Sequence, residues 1–504
     1  MLKKIFLTIV ILLLLFVSLF PRSIEVLNGN PIFEIDQGRD YMAVKSIVVD
    51  RKLTLIGAEL GAGQAGLQYL FHGPGYFYML TIPFILFDGH PIGGVYVMLL
   101  FGLATIAFSM YFARRLFGIT EALIMGFLVA LCPFFIGQSR FIENHFPTPF
   151  LILLIFYAVY RFTKHTSDTI SILFAAFLSA ALYNFETAIA VPLCITLVVY
   201  CMFLYRKKII TRLPYIIGGF VLGFLPMLLF EIRHGFMGIK SLFTYLFLSH
   251  ESHPASSTIL VQAQNIVNQF IFSFSDSFAG RLVVPVSIVL PVFILLVTYV
   301  FYTEKKRNIK NFLTYILLLY PINFFVFLFL RNIVFQHYII DLFLVNLFLS
   351  TYILSRLYAK KHIVLARTML SYLVLLIVVG THTAYTTSIN DYGDYGGSHK
   401  LRGKIEAIDF IYQDADGTPF NVLVFYPPVY TYPYDYLFWW HGSKTYGYVP
   451  GNEKKGTFYL LMEKDSEKPW SYQGWQETVV KTGRVVFTET LPRSGIVVEK
   501  RIQE

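Results

Sequence analysis

About eleven apolar stretches, each close to the twenty residues a helix needs to cross a bilayer, recur along this chain, and the positive charges between them are not randomly placed. The stretches lie near 5–21, 92–112, 118–137, 147–162, 169–184, 187–205, 212–230, 282–302, 311–330, 337–356 and 363–384. Lys3 and Lys4 precede the first, and every second connection is basic: Arg114/Arg115, Arg161/Lys164, Arg206/Lys207/Lys208/Arg212, Lys305/Lys306/Arg307/Lys310 and Arg356/Lys360/Lys361. Short basic loops stay on the cytoplasmic side. The N-terminus is therefore expected inside, and the longer loops and the C-terminus outside, in the plasma (inner) membrane. Only 14% of residues are charged, against roughly 25% in soluble proteins, so lipid must solvate most of the chain. The net charge of +10 is scattered through loops and forms no groove for nucleic acid.

This topology settles two ambiguous segments. Met1–Phe20 has the basic start and apolar core of a signal peptide, but Phe20-Pro-Arg-Ser23 lacks a small-residue cleavage site, so it reads as an uncleaved anchor. Tyr76–Phe87 is apolar but short and contains Pro83. As a span it would turn every basic loop outward, so an interfacial or re-entrant helix is expected. Two large outside loops follow, 21–91 and 231–281. Residues 1–385 read as the membrane domain and 386–400 as a glycine-rich linker. Residues 401–504 read as a small extracytoplasmic α/β domain, with strands at 421–426, 457–463, 484–490 and 495–500 and a helix near 434–441. The aromatic run Tyr430–Gly442 reads as packing. Cys132, Cys194 and Cys201 lie in apolar runs and read as small hydrophobes without a disulfide.

Ionisable groups collect at the outside ends of the spans, where burial is costly unless they are paired or wet. In FEIDQGRDYM, Asp36, Arg39 and Asp40 fall at i, i+3 and i+4, one face of a helix. His72 precedes the rigid bend Gly73-Pro74-Gly75. Arg140, Glu143 and His145 crowd the short loop Gly137–Pro149, a set able to hold a metal or orient a phosphate. Glu231, Arg233 and His234 end another span, and Arg331, His337, Tyr338 and Asp341 a further one; Glu186 sits in an outside turn. Arginine suits bidentate phosphate binding. No nucleotide-phosphate or hydrolase motif is present, which disfavours a soluble nucleotide donor. The sequence requires no cofactor, and a divalent cation is compatible with it.

In order, DQGRDY, HGPGYFYML, ARRLFG and SRFIENHF resemble segments of the GT-C fold glycosyltransferases, in particular glycosyltransferase family 39, the protein O-mannosyltransferases and the ArnT-like group, over roughly residues 1–385. DQGRDY is similar to the family's D-E-x-R-Y, and HGPGYFYML to its H-P-P-L-Y-Y-x-L. The resemblance implies a helical polytopic enzyme that moves a sugar, with inversion, from a polyprenyl phosphate to a lipid, glycan or protein acceptor. It implies Asp36 as general base with Asp40 as its alternate. By position, Arg233, Arg331 and His337 would bind the donor phosphate. His72, Glu143, Arg140 and Glu231 would assist substrate or metal. Two departures stand out: Gln37 replaces a glutamate common in the family, and HGPG replaces HPPL. Competing readings are a transporter or flippase of a lipid-linked or anionic substrate, whose charges gather in mid-span, and a surface-polysaccharide polymerase or ligase.

Overall fold

The computed structural model describes residues 2–60, 69–165, 167–205, 210–245, 259–278, 283–330, 334–427, 430–465 and 467–503. Each of the expected apolar windows falls on helix, the conformation that satisfies its own backbone in lipid. Among the described residues, six helices are long and apolar enough to cross a membrane, or seven if the pair Leu213–Gly223 and Leu225–Arg233, bent by 68°, is one span. Other windows are short or broken. The 118–137 window divides into Ile119–Leu131 and Pro133–Gly137, with Cys132 extended at φ −64, ψ 116. Proline forces that conformation on the residue before it. The Leu213–Gly223 helix presses on Thr169–Ala181 through a glycine pair spaced by four. A Cβ on Gly219 would stand 2.5 Å from the Leu173 carbonyl oxygen, and one on Gly223 2.5 Å from the Ala180 Cβ. Small residues at this spacing let helix backbones approach closely in lipid.

The 231–281 segment differs from the expected loop. It carries the helices Met237–Phe243 and Ile259–Ser277, and the second packs on Arg307–Leu330 and Ile340–Ala359. Its glutamines and asparagines, from Gln262 to Gln269, keep it below the apolarity of a span, while Ile266, Ser273, Phe274 and Ser277 form one buried stripe. The expected linker is also largely helical, because the last apolar helix runs unbroken from Ile363 to Gly393.

The C-terminal strands Asn421–Phe425 (β1), Gly456–Met462 (β2), Arg484–Thr490 (β3) and Val497–Gln503 (β4) form one sheet in the order β1-β2-β4-β3. β1 and β2 run parallel and the other neighbours antiparallel. The helix Leu401–Ala415 was not anticipated, although its buried Leu401, Ile408, Ile411 and Ala415 keep helical spacing. Beneath the sheet, the buried Lys404 ammonium lies 2.6 Å from Glu463 Oε1.

The C-terminal segment does not stand apart from the segment 21–91. Phe33, Tyr41, Val44 and Leu80 share one core with Ile408, Ile411, Tyr434 and Tyr436. The Tyr430–Gly442 aromatics are the clamp: Trp439 stacks on Phe84 with centroids 6.3 Å apart, and Tyr436 Oη donates to the Gly89 carbonyl. The tightest contact is at Gly38, where an added Cβ would lie 2.4 Å from the Pro433 nitrogen. Backbone on both sides leaves no room to yield, so Gly38→Ala should destabilise the protein by about 1–3 kcal/mol, read as a lower melting temperature in detergent.

Candidate active site

The helix Ile35–Val48 is held at its start by a capping box, in which the Glu34 amide donates to Gln37 Oε1 at 2.8 Å. One turn in, Arg39 joins two carboxylates. Its Nη1 donates to Asp36 Oδ1 at 2.6 Å, and its Nε and Nη2 donate to Asp40 Oδ1 at 2.9 and 2.8 Å. The two acids are not equivalent. Asp40's side chain is 1% exposed and Asp36's 50%, so only Asp36 is open to an incoming group. Burial pushes the Asp40 carboxyl up to about 6 against the opposing pull of Arg39. Asp36 Oδ2 has no hydrogen bond to a described residue.

Gln37 gives the departure from the family pattern a physical reason. Its Nε2 donates to the Ile142 carbonyl at 2.8 Å and to Glu143 Oε1 at 2.9 Å. A glutamate at position 37 would set carboxylate against carboxylate. Burial, and then the charges of Asp36 and Asp40, hold the Glu143 carboxyl well above its usual range. The chain thus keeps an acidic pair by drawing its second member from another loop.

The HGPG turn docks on the turn after Thr169–Ala181. The Gly73 amide donates to the Tyr183 carbonyl at 3.1 Å and the Gly75 amide to Asn184 Oδ1 at 3.0 Å, and a Cβ on Gly73 would meet that oxygen at 2.2 Å. His72 is held there, with Nδ1 3.1 Å from Thr187 Oγ1. Burial, with Arg39 and His337 nearby, pulls its imidazole down to about 3, so it is neutral. Asn144 Nδ2 donates to the Phe185 carbonyl at 2.5 Å, which ties the Glu143–His145 loop to Glu186. The His145 and His337 rings stack at 4.4 Å. Ligand atoms of His145, Glu186 and His337 all lie within 4.8 Å of one another.

The remaining sequence candidates lie elsewhere or serve as struts. Arg140 is held by Glu25 and Asp391, at 2.6 Å each, and joins the first loop to the last apolar helix. Glu231 is buried and accepts the Ile239 amide at 3.3 Å, which shapes a turn. Arg233 ends its helix exposed, with no ion pair to a described residue. Asp341 accepts from Asn323 inside the bundle at 2.8 Å. Arg331 lies outside the described residues. The structure thus brings Asp36, Asp40, Glu143, His72 and His337 into one region with Arg39, Gln37, His145 and Glu186. Sequence spacing carries no sign that Glu186 and His337 meet, because 150 residues of helical path separate them.

The family model described as dolichyl-phosphate-mannose-protein mannosyltransferase matches residues 71–230. No curated protein matches the sequence. Among solved structures, the fold is similar to that of ArnT from Cupriavidus metallidurans. With undecaprenyl phosphate bound, that protein superposes with a TM-score of 0.60 at 12% identity, over 99% of this chain and 98% of the other. Its apo state gives 0.61 at 12% identity, with the same coverage. The Archaeoglobus fulgidus oligosaccharyltransferase, solved with Zn and sulfate, gives 0.52 at 14% identity over 96% of this chain and 72% of that one. The chain thus has the multi-pass fold of ArnT, and its segment 71–230 is similar to the dolichyl-phosphate-mannose-protein mannosyltransferase family.

Proposed function

We propose that the chain transfers a sugar from a polyprenyl-phosphate donor to an acceptor on the outer face of the plasma membrane, with Asp36 as general base. The observation that carries this reading is the contrast within one ion-pair cluster: Asp36 is half exposed with one oxygen unengaged, while its neighbour Asp40 is sealed against Arg39. In the step, Asp36 Oδ2 takes the proton of the acceptor's hydroxyl or amine. The freed electron pair attacks the anomeric carbon from the face opposite the phosphate. The carbon–oxygen bond to phosphate breaks, its electrons leave with polyprenyl phosphate, and the anomeric centre inverts. Arg39 fixes the orientation of Asp36, and a base so positioned contributes typically ~10²–10⁴-fold.

The leaving phosphate needs hydrogen-bond donors in place before charge develops. His72, whose ring is held beside Thr187, is the group assigned that role here. The similar ArnT was solved with undecaprenyl phosphate bound, which supports a polyprenyl-linked donor here. Placement of the N-terminus inside and of the C-terminal segment outside follows from the basic loops.

Proteoliposomes containing the purified protein test the donor class. Label should pass from a polyprenyl-phosphate sugar to an endogenous lipid or glycan acceptor. A nucleotide sugar should give none. Transfer from the nucleotide sugar alone would overturn the reading.

A further inference from the structure

His145, Glu186 and His337 come from three separate connections and meet at one point, each offering a ligand atom within 4.8 Å of the other two. Their arrangement is poorly explained by the protein alone. The two imidazoles lie nearly parallel, at 22° and a centroid distance of 4.4 Å. Neither ring has a hydrogen-bond partner among the described residues. Glu186 is buried, yet among the described residues its carboxylate accepts one hydrogen bond, from the Ala188 amide to Oε1 at 3.1 Å. No hydrogen bond joins either ring to the carboxylate. One buried carboxylate and two half-buried imidazoles thus stand round a common centre without bonding to one another.

We infer that His145, Glu186 and His337 form a divalent-metal site, with zinc the ion its ligands fit best. Two imidazole nitrogens and one carboxylate oxygen are a frequent catalytic zinc set, each bound at roughly 2.0–2.2 Å with a fourth position left open. The surroundings fit as well. Phe335 stacks on His337 at 5.5 Å and 7°, and Phe146 packs edge-on against His145 at 4.8 Å. Such apolar walls orient ligand rings and restrict water. The site adjoins His72, which lies close enough to His337 and His145 to feel their charge. Thr187, the neighbour of Glu186, holds His72 at 3.1 Å, and an oxygen of a donor phosphate bound beside His72 is the ligand the open position would take. The metal site rests on geometry alone, whereas that last role rests on the glycosyl-transfer reading above.

Metal content tests the site independently of activity. Purified protein, stripped with chelator and dialysed against Zn²⁺, should retain about one ion per chain, as a site with three protein ligands binds tightly enough to survive dialysis. Zn²⁺ should also raise its melting temperature. The double variant His145→Ala/His337→Ala should retain none. Glu186→Gln, which keeps shape and folding, should bind at least roughly tenfold more weakly, the loss expected when a site's ligand shell is weakened. A wild type that retains no zinc and shows no thermal shift would overturn the site, as would unchanged binding in Glu186→Gln. If zinc binds as expected while polyprenyl-phosphate sugars are not used, the transferase reading fails and the metal site stands.

Discussion

Arg39→Ala should destabilise the protein by about 3–5 kcal/mol, the cost of removing one partner from a buried ion pair. The size follows from Asp40, whose side chain is 1% exposed and whose Oδ1 receives two hydrogen bonds from Arg39. Asp40 Oδ2 is buried without a hydrogen-bond partner, so nothing else offsets its charge. The double variant Arg39→Ala/Asp40→Asn should regain much of the loss, because the amide carries no charge to strand. Melting temperatures of the four proteins form a double-mutant cycle that isolates the coupling. A single variant within about 0.5 kcal/mol of wild type, the range of ordinary surface substitutions, would mean that Arg39 does not hold the site together.

Asp36→Asn should lower the transfer rate by ~10²–10⁴-fold, the usual contribution of a positioned general base. The amide keeps the size of the carboxylate and a hydrogen-bond contact for Arg39 but cannot accept the acceptor's proton. Folding should be nearly unaffected, since Asp36 is half exposed and exposed ion pairs contribute about 0–1 kcal/mol. Asp40→Asn gives the contrast: it acts through Arg39, so it should change stability and the positioning of Asp36 more than the proton transfer itself. If Asp40→Asn abolished turnover in a folded protein while Asp36→Asn kept it, the roles of the two acids would be exchanged.

Periodicity and charge carried most of the membrane architecture. Each apolar window lies mostly on helix among its described residues, and the four C-terminal strands lie within about two or three residues of where alternation and β-branched residues put them. What they could not carry was packing between distant segments. The helix Ile259–Ser277 escaped because its glutamines and asparagines lower its apolarity, although tertiary contacts bury one stripe of it. The union of the C-terminal segment with the first outside loop depends on Gly38 meeting Pro433, a contact across nearly 400 residues.

The site divides in the same way. Asp36, Arg39 and Asp40 were legible because their spacing matches one helix turn. Gln37 looked like a loss, since its partner Glu143 lies on another loop and only the folded chain brings the two within 2.9 Å. Arg140, among the most conspicuous charges of its loop, proved to be a strut between Glu25 and Asp391. Sequence cannot separate a paired arginine from a waiting one when the partner is more than a hundred residues away.

In the proposed reaction, the half-exposed Asp36 carboxylate drives sugar transfer from a lipid-linked donor. The direct measurement is single-turnover transfer from a labelled polyprenyl-phosphate sugar in liposomes carrying equal amounts of folded wild type or Asp36→Asn. Robust transfer by wild type, with a rate at least ~100-fold lower in the variant, is the expected result. Equal rates in the two would contradict it.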